Sequence, residues 1–313
     1  MSGMKKRSGT PQKRTIPFGR EKGFTLVELL IVILVGTAVM GAVIGLLFMF
    51  ITNFEINRDY TAARQRGEMV FSILAGPVLA AGLGMPSDAD GFHDLFNGTL
   101  NGGFDNGTLK SWNGPLVEST DDSGNLSRDL YVAYGVPSGI GIVGEEEFSG
   151  GTSFNVELTG NPDLPGTLSS DLIDSWITFP SSGRAFYVSS ASGNDLTLEP
   201  SFTGTIPYFD ELHYVRAIHV TLEGDVFRAI ELTRDSQLGE VDGILDMVFN
   251  YDSETRLLTA WVLARGDQRN PDIVTPDSTM SQWPGVVDLT EEEKDEMQHY
   301  RVSVLRTSWR VRN

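Results

Sequence analysis

A chain of 313 residues with no cysteine cannot be a disulfide scaffold, use a thiol nucleophile or build a thiolate metal site. Its 42 acidic against 24 Lys and Arg residues leave a net charge of −18, which repels phosphate backbones and argues against nucleic-acid binding. The plainer reason for such acidity is solubility, and the length is enough for one domain with its own core.

The charge is segregated along the chain. Residues 1–23 hold Lys5, Lys6, Arg7, Lys13, Arg14, Arg20 and Lys22 against the single acid Glu21, a net charge of +6; residues 24–313 carry −24, from 17 basic and 41 acidic residues. After this basic stretch, Leu29–Phe54 is a run of 26 residues without a charge. As a helix rising about 1.5 Å per residue it covers roughly 39 Å, against a hydrocarbon core of about 30 Å. The run can span a bilayer, and the positive-inside bias keeps the basic end in the cytoplasm and exports the chain beyond residue 54. No small-residue cleavage site of the A-x-A kind comes after the run, which sets it apart from a secretory signal peptide.

The order Lys22-Gly23-Phe24-Thr25-Leu26-Val27-Glu28-Leu29-Leu30 resembles the class III leader of type IV pilins and pseudopilins. The resemblance implies that an aspartyl prepilin peptidase cuts between Gly23 and Phe24 and methylates the new Phe24 amine. It also implies that Glu28, fifth in the product, pairs with the Phe24 amine of a neighbouring subunit and sets axial register. A carboxylate at the hydrocarbon boundary is costly and needs a partner; snorkelling to the headgroups is the other reading for Glu28. Gly36, Gly41 and Gly45 offer close approach to neighbouring helices.

Residues 55–75 continue the helix with an amphipathic pattern. Ile56, Tyr60, Ala63, Gly67, Val70, Phe71 and Leu74 recur at spacings of three and four, with Arg58, Asp59, Arg64, Arg66 and Glu68 mostly on the other face. Gly76-Pro77 predicts a kink, and Gly82, Gly84 and Pro86 predict the end of a helix of about 50 to 58 residues. Residues 83–128 read as loop with an imperfect repeat, Asn97-Gly98-Thr99-Leu100 and Asn106-Gly107-Thr108-Leu109, which could form a hairpin. Asp88, Asp90, Asp94, Asp105, Asp121 and Asp122 could supply oxygen ligands to Ca²⁺ but match no EF-hand spacing.

Beyond Arg128 the period becomes two. Strands are expected at Leu130–Val136, Ser153–Leu158, Ser175–Phe179, Ala185–Ser189 and Asp195–Leu198. Glu211–Leu222 with Val226–Thr233 and Leu245–Tyr251 with Leu257–Leu263 read as hairpins. Residues 266–287 read as a surface loop, and Asp288 or Thr290 can cap a short acidic helix, Glu291–His299. A final strand comes next with Arg301, Arg306, Arg310 and Arg312; its charges either guard a sheet edge or form a basic stripe for acidic neighbours. The fold class is therefore α+β: a long N-terminal helix, membrane-spanning in its first half and amphipathic in its second, packed on an antiparallel sheet domain.

The segment Arg66–Leu74 with Ala80-Ala81-Gly82, the stretch Val241–Asp252 before a Tyr-Asp turn, and the Arg-rich end Tyr300–Asn313 resemble corresponding parts of PilW-type minor pilins. Gly76-Pro77 stands where that family has a polar pair. The domain organisation implied is a leader over 1–23 that is removed, an N-terminal helix over 24–82 with its transmembrane part at about 29–54, and an exported β-rich domain over 83–313. Partners implied are the prepilin peptidase, other minor and major pilins, the inner-membrane assembly platform and the lipid bilayer, with no nucleic acid. The place implied is the bacterial inner membrane, single-pass, with the C-terminal domain in the periplasm and then in a pilus or pseudopilus. The alternatives are a J-type pseudopilin of type II secretion and, in another class, a signal-anchored exported hydrolase or binding module.

No catalytic residues, metal ligands or cofactor are expected. His213 and His219 share a strand face but lack a visible third ligand, His93 and His299 lie apart, and no nucleophile elbow, P-loop or dinucleotide fingerprint is present. Asn97, Asn106 and Asn125 fit the N-x-[ST] acceptor pattern, an idle match in the context that the leader implies.

Overall fold

The computed structural model describes residues 23–85, 92, 114–118, 127–144, 146–149, 152–160, 175–199, 202–208, 210–233, 236–284 and 289–312. The basic leader through Lys22, the Asn-Gly repeat, the six loop aspartates, His93, the three N-x-[ST] asparagines and Asp288 lie outside them.

Helix α1 spans Leu26–Leu79, 54 residues. The chain divides into two compact units after Phe54. In the first, the apolar side chains from Leu26 to Phe54 are exposed. The helix is long and apolar enough to cross a membrane, with a mean hydropathy of 2.7 in its most apolar window and none of that window buried. Gly76-Pro77 does not end it: helix continues through Pro77 to Leu79, and Ala80 N–H still reaches the Gly76 carbonyl at 3.1 Å. Proline removes one hydrogen bond, and so near the terminus little helix remains to be disrupted.

The second unit, Glu55–Asn313, is β-rich. Strand order in the large sheet is β1 (Leu116–Glu118), β2 (Leu130–Gly141), β9 (Glu211–Glu223), β5 (Trp176–Phe179), β6 (Arg184–Ser192), β7 (Asp195–Glu199) and β4 (Phe154–Glu157). Strand β9 also pairs with β10 (Val226–Glu231), which carries β11 (Ser236–Asp242). A three-stranded sheet runs β12 (Ile244–Asp252), β13 (Leu257–Arg269), β14 (Tyr300–Arg310), and β3 (Glu146–Ser149) pairs β8 (Thr203–Ile206). Every described pairing is antiparallel, and the α+β class stands.

Strand β9 is the centre of the large sheet. It is buried almost continuously from Leu212 to Val220, the pattern of a strand covered on both faces. Leu212 and Tyr214 join a Phe-rich cluster with Phe179, Phe186 and Phe202, whereas Ile218 and Val220 enter the cluster beneath the helix. There Val70, Leu74 and Val78 of α1 meet Val132, Phe227 and Ala229 of the large sheet and Phe249, Leu258, Ala260 and Val262 of the three-stranded one. Each large side chain among them, fully buried, contributes about 1.5 to 3 kcal/mol.

The docking face of α1 keeps Ala63, Gly67, Val70 and Leu74 of the expected set, with Phe71 half-buried beside them, and departs from it at Ile56, Asp59 and Tyr60. Asp59, Ala63, Gly67, Val70, Leu74, Pro77 and Val78 are buried, Ile56 is only half-buried, and Tyr60 is exposed. Asp59 belongs to the packed face because Arg301 of β14 meets it there at 3.3 Å. Arg66 is also drawn in, donating to the Arg265 carbonyl at 2.7 Å and to Asp267 at 2.6 Å. At Gly67 the helix comes so close to β14 that a Cβ would lie 2.6 Å from Leu305 Cδ1.

The stretch Val241–Asp252, part of the PilW-type resemblance, is not one strand, whereas the expected strand Leu245–Tyr251 lies within β12. Gly243 divides it at φ 74, a left-handed conformation that favours glycine. Val241 and Asp242 therefore end β11 in the large sheet, and Ile244 starts β12 in the other.

Two short helices precede β14: α2 (Asp277–Met280) and α3 (Glu291–Gln298). Thr290 caps α3 in a reciprocal capping box with Glu293. Trp283, just past α2, is buried with Met280, Leu289, Met297 and Val302. Its indole N–H donates at 3.2 Å to Asp246. Arg128 also donates to Asp246, at 3.0 and 3.1 Å, while burial pushes the Asp246 carboxyl above the usual carboxylate range.

Candidate functional site

The segment before α1, Gly23, Phe24 and Thr25, is exposed and non-helical, Phe24 being exposed to 83%. A Cβ at Gly23 would meet nothing within 4 Å, so no packing within this chain requires a glycine there. The Gly23–Phe24 bond lies in open, non-helical backbone two residues ahead of a helix that starts at Leu26.

Glu28 closes that helix end. Its Oε2 accepts the Thr25 N–H at 2.9 Å and the Thr25 hydroxyl at 3.0 Å, while Thr25 Oγ1 accepts the Glu28 N–H at 3.3 Å. With Leu26 as the first helical residue, Thr25 is the N-cap and Glu28 the third residue, a reciprocal capping box. The carboxylate also sits at the positive end of the helix dipole. Thr25 is the functional residue that reasoning from the sequence passed over, although T-x-x-E before an apolar run was there to be seen.

Residues 19–44 match the prokaryotic N-terminal methylation motif. This is a type IV pilin-like prepilin signal, and the match spans Gly23, Phe24, Glu28, Gly36 and Gly41. No curated protein and no solved structure matches the chain.

Within the helix that carries the motif, Gly36, Gly41 and Gly45 stand in open space. At about 100° per residue, Gly41 and Gly45 lie about 40° apart on one face, and Gly36 lies about 180° from Gly45. A close neighbour can use the first two together but not all three.

The remaining sites of interest fall in the sheet domain. His213 is buried, and its Nδ1 makes no hydrogen bond among the described residues. His219 stacks on Tyr131 with ring centroids 4.2 Å apart and reaches Asp129 at 3.3 Å. His299 contacts the Asn270 carbonyl at 3.0 Å. Among the described residues no three His, Asp or Glu side chains are grouped to hold a metal ion. The four arginines of the final segment do not form one stripe. Arg301 turns inward to Asp59, Arg306 lies 5.2 Å above the Trp261 ring, and Arg310 and Arg312 line a separate notch.

Proposed function

We propose that the chain is the precursor of a PilW-type minor pilin, a non-enzymatic subunit that primes or caps assembly of a type IV pilus. The observation that carries this reading is the exposed Gly23–Phe24 bond held just ahead of a capped, apolar helix start, within a matched methylation motif. Prepilin peptidase removes residues 1–23 at the cytoplasmic face of the inner membrane and methylates Phe24. The apolar half of α1 then stays in the bilayer, with Glu55–Asn313 on the periplasmic side, until the assembly platform moves the subunit into a filament.

In this role the capping box has a second use. Cleavage creates an amine on Phe24, one residue from the N-cap, and Glu28 becomes its ready counterion. A neighbouring subunit's Phe24 amine competes for the same carboxylate, which sets register as the helix leaves lipid. The globular domain meets other minor pilins, and the face around Gly41 and Gly45 admits close neighbours. Presence of the mature chain in sheared fibres supports the pilus role. Intact pili with loss of protein secretion on deletion assign it instead to a J-type pseudopilus.

A further inference from the structure

We infer that a notch formed by Arg256, Arg310 and Arg312 binds an acidic peptide segment of a neighbouring subunit. The identity of that partner rests on the assembly role proposed above; the binding chemistry does not.

The notch is an open cavity of about 360 Å³ where the β12–β13 turn meets the end of β14, lined by Glu254, Thr255, Arg256, Arg310, Val311 and Arg312. Hydrogen bonds within the turn and to the end of β14 fix its shape. Asp252 accepts the Glu254 and Thr255 N–H groups at 2.9 and 3.2 Å, which shapes the turn. Val311, buried, donates its N–H to the Arg256 carbonyl at 2.9 Å. Arg256 in turn donates to the Arg312 carbonyl at 3.4 Å.

Two independent observations point to a ligand. The first is conformational: Arg256 has φ 56 and is the only described residue other than glycine at positive φ. Glycine would occupy that position without strain, whereas a residue with a Cβ is strained there. Arg256 nevertheless holds this position in the turn that lines the notch.

The second observation is electrostatic. Arg64, Arg66, Arg228, Arg265, Arg269 and Arg301 each have a carboxylate within 4.0 Å. Among the described residues, Arg58, Arg184, Arg256, Arg306, Arg310 and Arg312 have none, and of these Arg256, Arg310 and Arg312 line one notch, which Glu254 shares. Three cations gathered in one place without acid partners are out of character for a product with a net charge of −24, the sum over residues 24–313. Guanidinium forks match carboxylates in pairs. At physiological ionic strength charges beyond about 8 Å are largely screened, so a short acidic segment meets the local arginines and not the acidic remainder of the domain. A long polyanion would meet both and be repelled.

The test uses the chain of residues 24–313, without the basic leader, in zwitterionic detergent and a fluorescent hexaglutamate peptide, followed by anisotropy at low ionic strength. Saturable binding with one peptide per chain is expected. Arg256→Gly combined with Arg310→Gln should weaken it about tenfold or more, with a melting temperature no lower than that of the wild type, because glycine relieves the turn. If the double variant melts early, Arg312→Gln alone, in the exposed tail, should still weaken binding severalfold. Absence of saturable binding, equal affinity for the wild type and a folded variant, or displacement by inorganic phosphate at matched carboxylate concentration would each overturn the proposal. Should the peptide bind as described while the mature chain does not begin at Phe24, the notch stands and the pilin reading falls.

Discussion

Asp59 of the long helix and Arg301 of the final strand meet at 3.3 Å across 242 positions of sequence, Asp59 fully buried and the Arg301 side chain nearly so. Arg301 also reaches the Asn270 side-chain oxygen at 3.4 Å, while Asp59 Oδ1 has no partner among the described residues. Such a pair is a poor net stabiliser, yet removing one half leaves an uncompensated buried charge. Arg301→Met should therefore destabilise the domain by about 3 to 5 kcal/mol. Adding Asp59→Asn should recover more than half of that loss. Denaturant melts of Arg301→Met, Asp59→Asn and the double variant give the coupling, and purely additive losses would rule it out.

Processing is read at the N-terminus. Gly23→Val places a branched side chain before the bond to be cut, and the basic leader should then remain attached. Gly23 packs against nothing in this chain, so the domain itself should melt as before. Terminal sequencing of the wild type must begin at Phe24, and any other start defeats the assignment.

Glu28 caps the helix start, and two substitutions separate that from the assembly role proposed for it. Glutamine keeps the capping box, since either Glu or Gln serves at that position, but removes the charge; alanine removes both. If a neighbour's Phe24 amine needs the carboxylate, both variants should be inserted and cleaved, and both should assemble poorly. Pilus number counted by microscopy decides it: normal piliation with Glu28→Gln would leave the residue only its capping role.

His213 should make the domain acid-sensitive. Burial holds its imidazole below the usual histidine range, against the opposing pull of Glu211 and Asp210. Because the unfolded chain then binds a proton more readily, this contribution to stability is fully present above about pH 6.5 and is lost as pH falls through the depressed folded value. Unfolding free energy measured from pH 7.5 downward should show that decline, and His213→Gln should flatten it. An unchanged slope in the variant would place the sensitivity elsewhere.

A chain beginning at Glu55, the start of the second compact unit, should be soluble and unfold cooperatively. Ending it before Tyr300 removes β14 from β13, strips Val302 and Trp309 from their clusters and leaves Asp59 without Arg301. That shorter form should aggregate on expression, and equal denaturant midpoints for the two would show the last strand to be dispensable.

Local features were determined by the sequence itself: a charge boundary at Lys22, a membrane-length apolar run, the Gly23–Phe24–Glu28 order and the presence of strands at Leu130–Val136 and Glu211–Leu222, though their burial does not follow a period of two. Those features need only neighbours along the chain, because hydrophobic pattern and charge already specify them. Strands β1, β3, β8 and β11 escaped because Leu116–Glu118, within the stretch read as loop, Glu146–Ser149, Thr203–Ile206 and Ser236–Asp242 are short or polar and are strands only by pairing. Tertiary structure alone decided that Asp59 faces inward, that Gly243 passes the chain from one sheet to the other, and that Arg256, Arg310 and Arg312 converge while Arg301 leaves them. Each of those depends on a group that arrives from far along the chain, and no local pattern encodes the arrival.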